Sequence, residues 1–159
     1  LTDVSKTAED VANRVANAIF DDSNICDRVV MLVISNEKET KQGSEAILHR
    51  YALTVLLNAL NVFASMGRLG DIVRKHGYMG SDLVSVLLGK VQQCEARPHD
   101  ACLSIKCLVA LMSVGELRRT VMSYDIQGIM KESHSIGECY NSSLMRESLV
   151  LLNALRLAA

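Results

Sequence analysis

Tryptophan is absent from this 159-residue chain, proline occurs once, and aromatic residues make up only 4% of it. The core must therefore be aliphatic, drawn from Leu, Val, Ile, Ala and Met. So little proline argues against a strand-rich fold, whose tight turns draw on both proline and glycine. No apolar run approaches the roughly 18 uncharged residues that a membrane-spanning helix needs, so no membrane partner is expected. The formal charge of −1 supplies no long-range field for nucleic acid or anionic lipid. The largest basic clusters, Arg74-Lys75 and Arg118-Arg119, are pairs and read as solvated helix faces. The N-terminus, Leu1-Thr2-Asp3, has no basic and apolar signal region. Five cysteines, an odd count, fit a reducing, cytoplasmic setting better than a disulfide framework.

What is present is repetition. A short apolar core recurs as Ala16-Asn17-Ala18-Ile19, Leu57-Asn58-Ala59-Leu60, Leu108-Val109-Ala110-Leu111 and Leu152-Asn153-Ala154-Leu155. The second and fourth copies extend to Val-Leu-Leu-Asn-Ala-Leu, at Val55 to Leu60 and Val150 to Leu155. The copies start 41, 51 and 44 residues apart, and a period of roughly 40 to 47 residues is the signature of stacked helical repeats, in which no unit buries its apolar face alone.

Punctuation divides the chain into helices. Long ones are read over about 7–20, 45–66, 98–114 and 143–159 from apolar positions recurring every three or four residues. On the first, Val4, Val11, Val15, Ala18 and Ile19 form one stripe. The run Ile25 to Ile34 could pass for a strand, and the repeat register decides for helix. Asn36 to Ser44 is a polar loop. A short helix spans Gly70 to His76, with Gly77 as its stop, and Ser81 to Cys94 forms another helix. Pro98 suits the first turn of the next. The whole chain, 1–159, reads as a single repeat domain. Its start at Leu1 and its apolar finish, Leu149 to Ala159, point to a fragment of a longer protein whose incomplete repeat ends would allow self-association.

The segment Gly70-Asp71-Ile72-Val73-Arg74-Lys75-His76-Gly77, then Leu83-Val84-Ser85-Val86-Leu87-Leu88, then Ala110-Leu111, resembles an armadillo repeat. Glu116-Leu117-Arg118-Arg119-Thr120-Val121 through Ala154-Leu155 follows the pattern more loosely. The resemblance implies an all-α, right-handed α-solenoid of about three to four armadillo-like repeats. It further implies a concave groove lined by the third helix of each repeat. In peptide-binding armadillo proteins a Trp and an Asn four residues apart hold the ligand there. With Ala-Leu as anchor, the Trp positions here hold Asn17, Asn58, Val109 and Asn153, and the Asn positions hold Asp21, Val62, Ser113 and Leu157. That ladder is missing, which speaks against a receptor for basic signal peptides.

A different ladder stands in its place. Asn occupies three of four equivalent positions, and its amide can pair with an extended backbone whatever the side chains. Asn13 and Asn17 share a face of the first long helix, and Tyr51, Thr54 and Asn58 share one on the second. The candidate partner-binding set is thus Asn13, Asn17, Tyr51, Thr54, Asn58, Val109, Ser113 and Asn153, for a protein or peptide partner. The alternative is that these Asn side chains join adjacent helices or face water.

No catalytic constellation, cofactor site or metal site is read. Cys94, His99, Cys102 and Cys107 have the residue types of a zinc site. However, five residues turn a helix by about 140°, which separates Cys102 from Cys107. Cys139 with His134 is a nucleophile pair without a supporting motif. Met66-Gly67-Arg68-Leu69-Gly70 lacks both the spacing and the Lys of a phosphate loop. The chain therefore reads as a non-enzymatic interaction scaffold. Its rival is a structural or oligomerising segment of a larger cytoskeletal, adaptor or chaperone-like protein, with Ile105, Val109, Met112, Met145 and Leu149 forming an oily face.

Overall fold

The computed structural model describes residues 10, 11, 14, 15, 18, 23–34, 44–75 and 80–158. Among them the secondary structure is helical throughout, with no strand. The helices are α1 (Ser23–Ile34), α2 (Ser44–Ser65), α3 (Leu69–Lys75), α4 (Ser81–Gln92), α5 (Pro98–Leu111), α6 (Gly115–Met122), α7 (Ile126–Tyr140) and α8 (Ser142–Ala158). Before α1, Asp10, Val11, Arg14, Val15 and Ala18 are helical and exposed. The rest of the segment 7–20, Asn13 and Asn17 among it, lies outside the described residues, as does the loop 36–43.

The ambiguous run ending at Ile34 is helical, with Val30 and Val33 buried. In α2 the buried set Ala52, Leu53, Leu56, Leu57, Ala59, Leu60 and Phe63 follows the three-and-four spacing of one helix face. The helix stops where the Arg68 N–H donates to the Phe63 carbonyl (3.0 Å) and the Gly67 N–H to that of Ala64 (3.1 Å). This is a Schellman closure, with Gly67 at φ +67°. The residue beyond the glycine usually adds an apolar contact to the last turn. Here the Arg68 guanidinium lies over the Phe63 ring, 5.8 Å from its centroid.

Helix α5 opens on Pro98, whose missing N–H would have had no helical partner. It ends at Leu111, earlier than the sequence pattern suggests. The Val114 N–H turns back to the Leu111 carbonyl at 3.1 Å, and the Ser113 hydroxyl donates to the Ala110 carbonyl at 2.8 Å. Arg118 of α6 then donates from Nε to the Met112 carbonyl at 3.0 Å, satisfying an orphan acceptor at the end of α5.

Helices α7 and α8 are joined by one residue. Asn141, in extended conformation, donates its N–H to the Gly137 carbonyl (2.8 Å) and closes α7. Its side-chain Oδ1 accepts the Leu144 N–H at 3.0 Å and caps α8. Inside this pair the Ser133 and Ser148 hydroxyls, both buried, lie 2.9 Å apart and satisfy one another.

The packing repeats every third helix. Helix α1 packs on α4 and α4 on α7; α2 packs on α5 and α5 on α8. Across these two series, α1 pairs with α2, α4 with α5, and α7 with α8. The short α3 and α6 sit at the corners, α3 against α2 and α6 against α4 and α5. One continuous apolar core runs through all of them, including Leu56, Leu87, Leu108, Leu117, Met130 and Leu151. Sandwiching explains why α4 and α5 bury residues on most of their circumference.

Ion pairs bridge successive layers in one direction. Arg50 of α2 meets Asp100 of α5 at 3.1 Å, Arg74 of α3 meets Glu116 of α6 at 3.6 Å, and Lys106 of α5 meets Glu147 of α8 at 3.9 Å. Each places the base on the earlier helix and the acid on the later one.

Candidate functional site

The long helices α2, α5 and α8 lie side by side and each leaves one stripe uncovered. On α2 the stripe holds Tyr51, Thr54, Val55 and Asn58, then continues to Ser65; Tyr51 is 67% exposed. On α5 it holds Lys106 and Val109, with Ser113 exposed in the turn just beyond the helix, and on α8 Arg146, Leu149, Val150 and Asn153. The spacing of three, four or seven residues within each set is what puts them on one face. The structure thus carries Tyr51, Thr54, Asn58, Val109, Ser113 and Asn153 on the outer stripes of three neighbouring helices. Asn13 and Asn17 lie outside the described residues.

These side chains differ in what they have free. The Thr54 hydroxyl donates to the Arg50 carbonyl at 2.8 Å, and the Ser113 hydroxyl to that of Ala110. Both are turned back onto their own helix, which leaves only an acceptor lone pair for a partner. Asn58 and Asn153 are exposed, and neither amide bonds to another described residue. Val109 is half-buried and offers an apolar contact.

Two members of the expected oily face are elsewhere. Ile105 and Met112 are buried in the core between helices. Of Ile105, Val109 and Met112, only Val109, half-buried, keeps apolar surface outward. Met145 is half-buried and Leu149 is exposed.

Beside Lys106 the stripes of α5 and α8 part into a cleft of about 190 Å³. Its walls carry His99, Cys102 and Lys106 from α5, and Ser143, Arg146 and Glu147 from α8. Lys106 Nζ lies 3.9 Å and Arg146 Nε 3.6 Å from the same oxygen, Oε1 of Glu147. Burial pushes the Cys102 thiol above its ordinary value, and the Glu147 carboxylate adds to that, while Lys106 and Arg146 pull the other way. A thiol held protonated is a poor nucleophile. Cys94 is likewise raised by burial, against the nearby Ser133 hydroxyl, and Cys107 is raised by burial alone. Cys139 is exposed. The His134 ring faces Glu138, 3.8 Å from Nδ1 to Oε1.

Among the described residues, no three of His, Cys, Asp and Glu come together as a metal site. Cys94, His99, Cys102 and Cys107 are thus not gathered around one point. No described helix is long and apolar enough to cross a membrane.

Sequence reading missed this cleft because Lys106 lies on one helix and Arg146-Glu147 on another, far along the chain. The signal was available: Arg50 and Asp100 pair across a separation of 50 residues, close to one repeat, and Lys106 with Glu147 repeats that relation. Comparison with known proteins finds no matching family model, no matching curated protein and no matching solved structure.

Proposed function

We propose that the chain is a non-enzymatic, armadillo-like right-handed solenoid that holds a protein segment along the outer stripes of α2, α5 and α8. The observation that carries this reading is the pair Asn58 and Asn153. Each is exposed, each leaves its amide without a partner among the described residues, and each stands at the same place in its repeat. An exposed amide that the fold does not use keeps its donors and acceptor hydrated, and it can exchange that water for an extended backbone. Stacking of every third helix supports the solenoid architecture. The Tyr51 ring, largely exposed, supplies an anchor of the kind that dominates interface energies.

Selection from a displayed random-peptide library tests this. Wild type should enrich binders that an Asn58→Ala/Asn153→Ala variant of equal melting temperature does not retain. Equal enrichment by both proteins refutes the groove, and a large loss of melting temperature in the variant returns the two Asn residues to a structural role.

A second reading has one observation in its favour. Leu149, Val150 and Leu157 are exposed on α8, and Leu157 is 90% exposed. Large apolar side chains left open along one helix favour self-association. Sedimentation equilibrium decides it: a concentration-dependent mass that Leu157→Glu abolishes supports the oligomer, and a monomer at all concentrations rejects it.

A further inference from the structure

We infer that the cleft between α5 and α8 is a carboxylate-reading subsite, which takes an acidic side chain of the bound protein segment between Lys106 and Arg146. The inference rests on the reading of the long-helix stripes as a groove, and it adds to that reading the chemistry of the partner.

The argument begins with where charge is displayed. Among the described side chains of α2, α5 and α8, the acids are Asp100 and Glu147, whose side chains are only 13% and 11% exposed. The bases are open: Arg50 is 49%, Lys106 44% and Arg146 70% exposed, and Arg156 is exposed too. Among the described side chains, a chain that is nearly neutral as a whole thus turns cations outward along this layer and keeps the carboxylates beneath them. The other elements carry the exposed acids, such as Asp71, Asp82, Glu95, Glu132 and Glu138.

The cleft concentrates this pattern. Two cations converge on Glu147 from opposite walls, so the site keeps one positive charge in excess. Neither base sits at the distance of a strong charge-assisted hydrogen bond, since both are beyond 3.5 Å from the carboxylate oxygen. Their donors are positioned by Glu147 without being consumed by it. The first turn of α8, with Ser143 at the cleft wall, adds the positive end of a helix dipole. A cavity of about 190 Å³ has room for a carboxylate side chain. Lys106 shares its stripe with Val109 and Ser113, and Arg146 shares its own with Asn153. A segment lying on those stripes would pass over the cleft mouth.

Glu147 then acts as a placeholder counter-ion. Its removal should free both bases and strengthen the capture of an acid, an outcome that a purely structural ion pair would not give.

The test uses the whole chain labelled with ¹⁵N and a capped peptide of alternating alanine and glutamate, with the alanine–glutamine peptide as its uncharged counterpart. The glutamate peptide should shift the amides around Cys102, Lys106 and Ser143 to Arg146, and bind about tenfold more tightly than the glutamine peptide at low salt. Arg146→Gln, at an exposed position, should remove most of that difference, and Glu147→Gln should enlarge it several-fold. Equal affinity for the two peptides, with shifts along Asn58, Val109 and Asn153, overturns the acidic subsite and leaves the groove standing. Absence of shifts with both peptides overturns the two together. A Glu147→Gln variant that folds but binds the glutamate peptide no better than wild type also overturns the proposal.

Discussion

Replacing Gly137 with alanine should destabilise the protein, although alanine is the better helix former. Gly137 is buried in the last turns of α7, where the backbone of α8 crosses it. A Cβ built there would strike the Met145 backbone nitrogen and approach the Met145 Cα and Cβ to 2.8 and 3.0 Å. No flexible side chain is available to swing away, and Asn141 ties the two helices together a few residues on. Relief therefore needs α8 to move as a body, against its packing on α5. Forcing an atom into a packed contact costs about 3 kcal/mol at the upper end of the usual range. Better propensity and a less flexible unfolded chain return about 1 kcal/mol. The net is a loss of about 2 kcal/mol, or about 4–8 °C in melting temperature for a chain of this size. Thermal unfolding followed by circular dichroism reads it directly. Gly115→Ala is the control, because a Cβ there meets no atom within 4 Å and should gain about 0.4–1 kcal/mol. Equal or greater stability of the Gly137 variant would show that α7 and α8 do not approach as closely as described.

The buried Ser133–Ser148 pair should behave as a coupled unit. Ser148→Ala strands one hydroxyl and costs about 1–2 kcal/mol, and adding Ser133→Ala should recover part of that in urea unfolding; strictly additive losses would deny the bond. Native thiol labelling should be fast at Cys139 and slow at Cys94, Cys102 and Cys107, and rapid labelling of Cys107 below the unfolding transition would contradict its burial. Alkaline pH should destabilise the fold. Cys107 holds its proton in the native state past the ordinary value of 9.0 while the unfolded chain gives it up, so its contribution is complete below that pH and declines above it. Urea midpoints measured above about pH 9 should fall less steeply for Cys107→Ala than for wild type, by up to about 1.4 kcal/mol per pH unit.

The helices were legible because their cause is local. Apolar spacing in α2 and α4 and the Pro98 start each act within one turn or two, and the chain spells them out. The face of α2 is legible for the same reason: Tyr51 and Asn58 fall opposite Leu53 and Leu60 whatever lies beyond. Inter-helix contacts were less so. Ile105 and Met112 were placed outward because one helix viewed alone cannot show that neighbours cover it on both flanks. The cleft escaped because Lys106 and Glu147 belong to different layers, and nothing within either helix distinguishes them from ordinary surface charges.

The one-residue junction at Asn141 has a consequence for how the molecule breathes. The same residue ends α7 through its N–H and begins α8 through its side chain, so both termini depend on where Asn141 is held. Opening of α8 would break the bonds that Asn141 accepts from the Leu144 and Met145 N–H groups and, deeper in, release the Ser133 hydroxyl. The two helices should therefore exchange their amide hydrogens as one cooperative unit, with a shared opening free energy. Any molecule that binds the outer stripe of α8 would slow exchange in α7 as well, at amides it never touches.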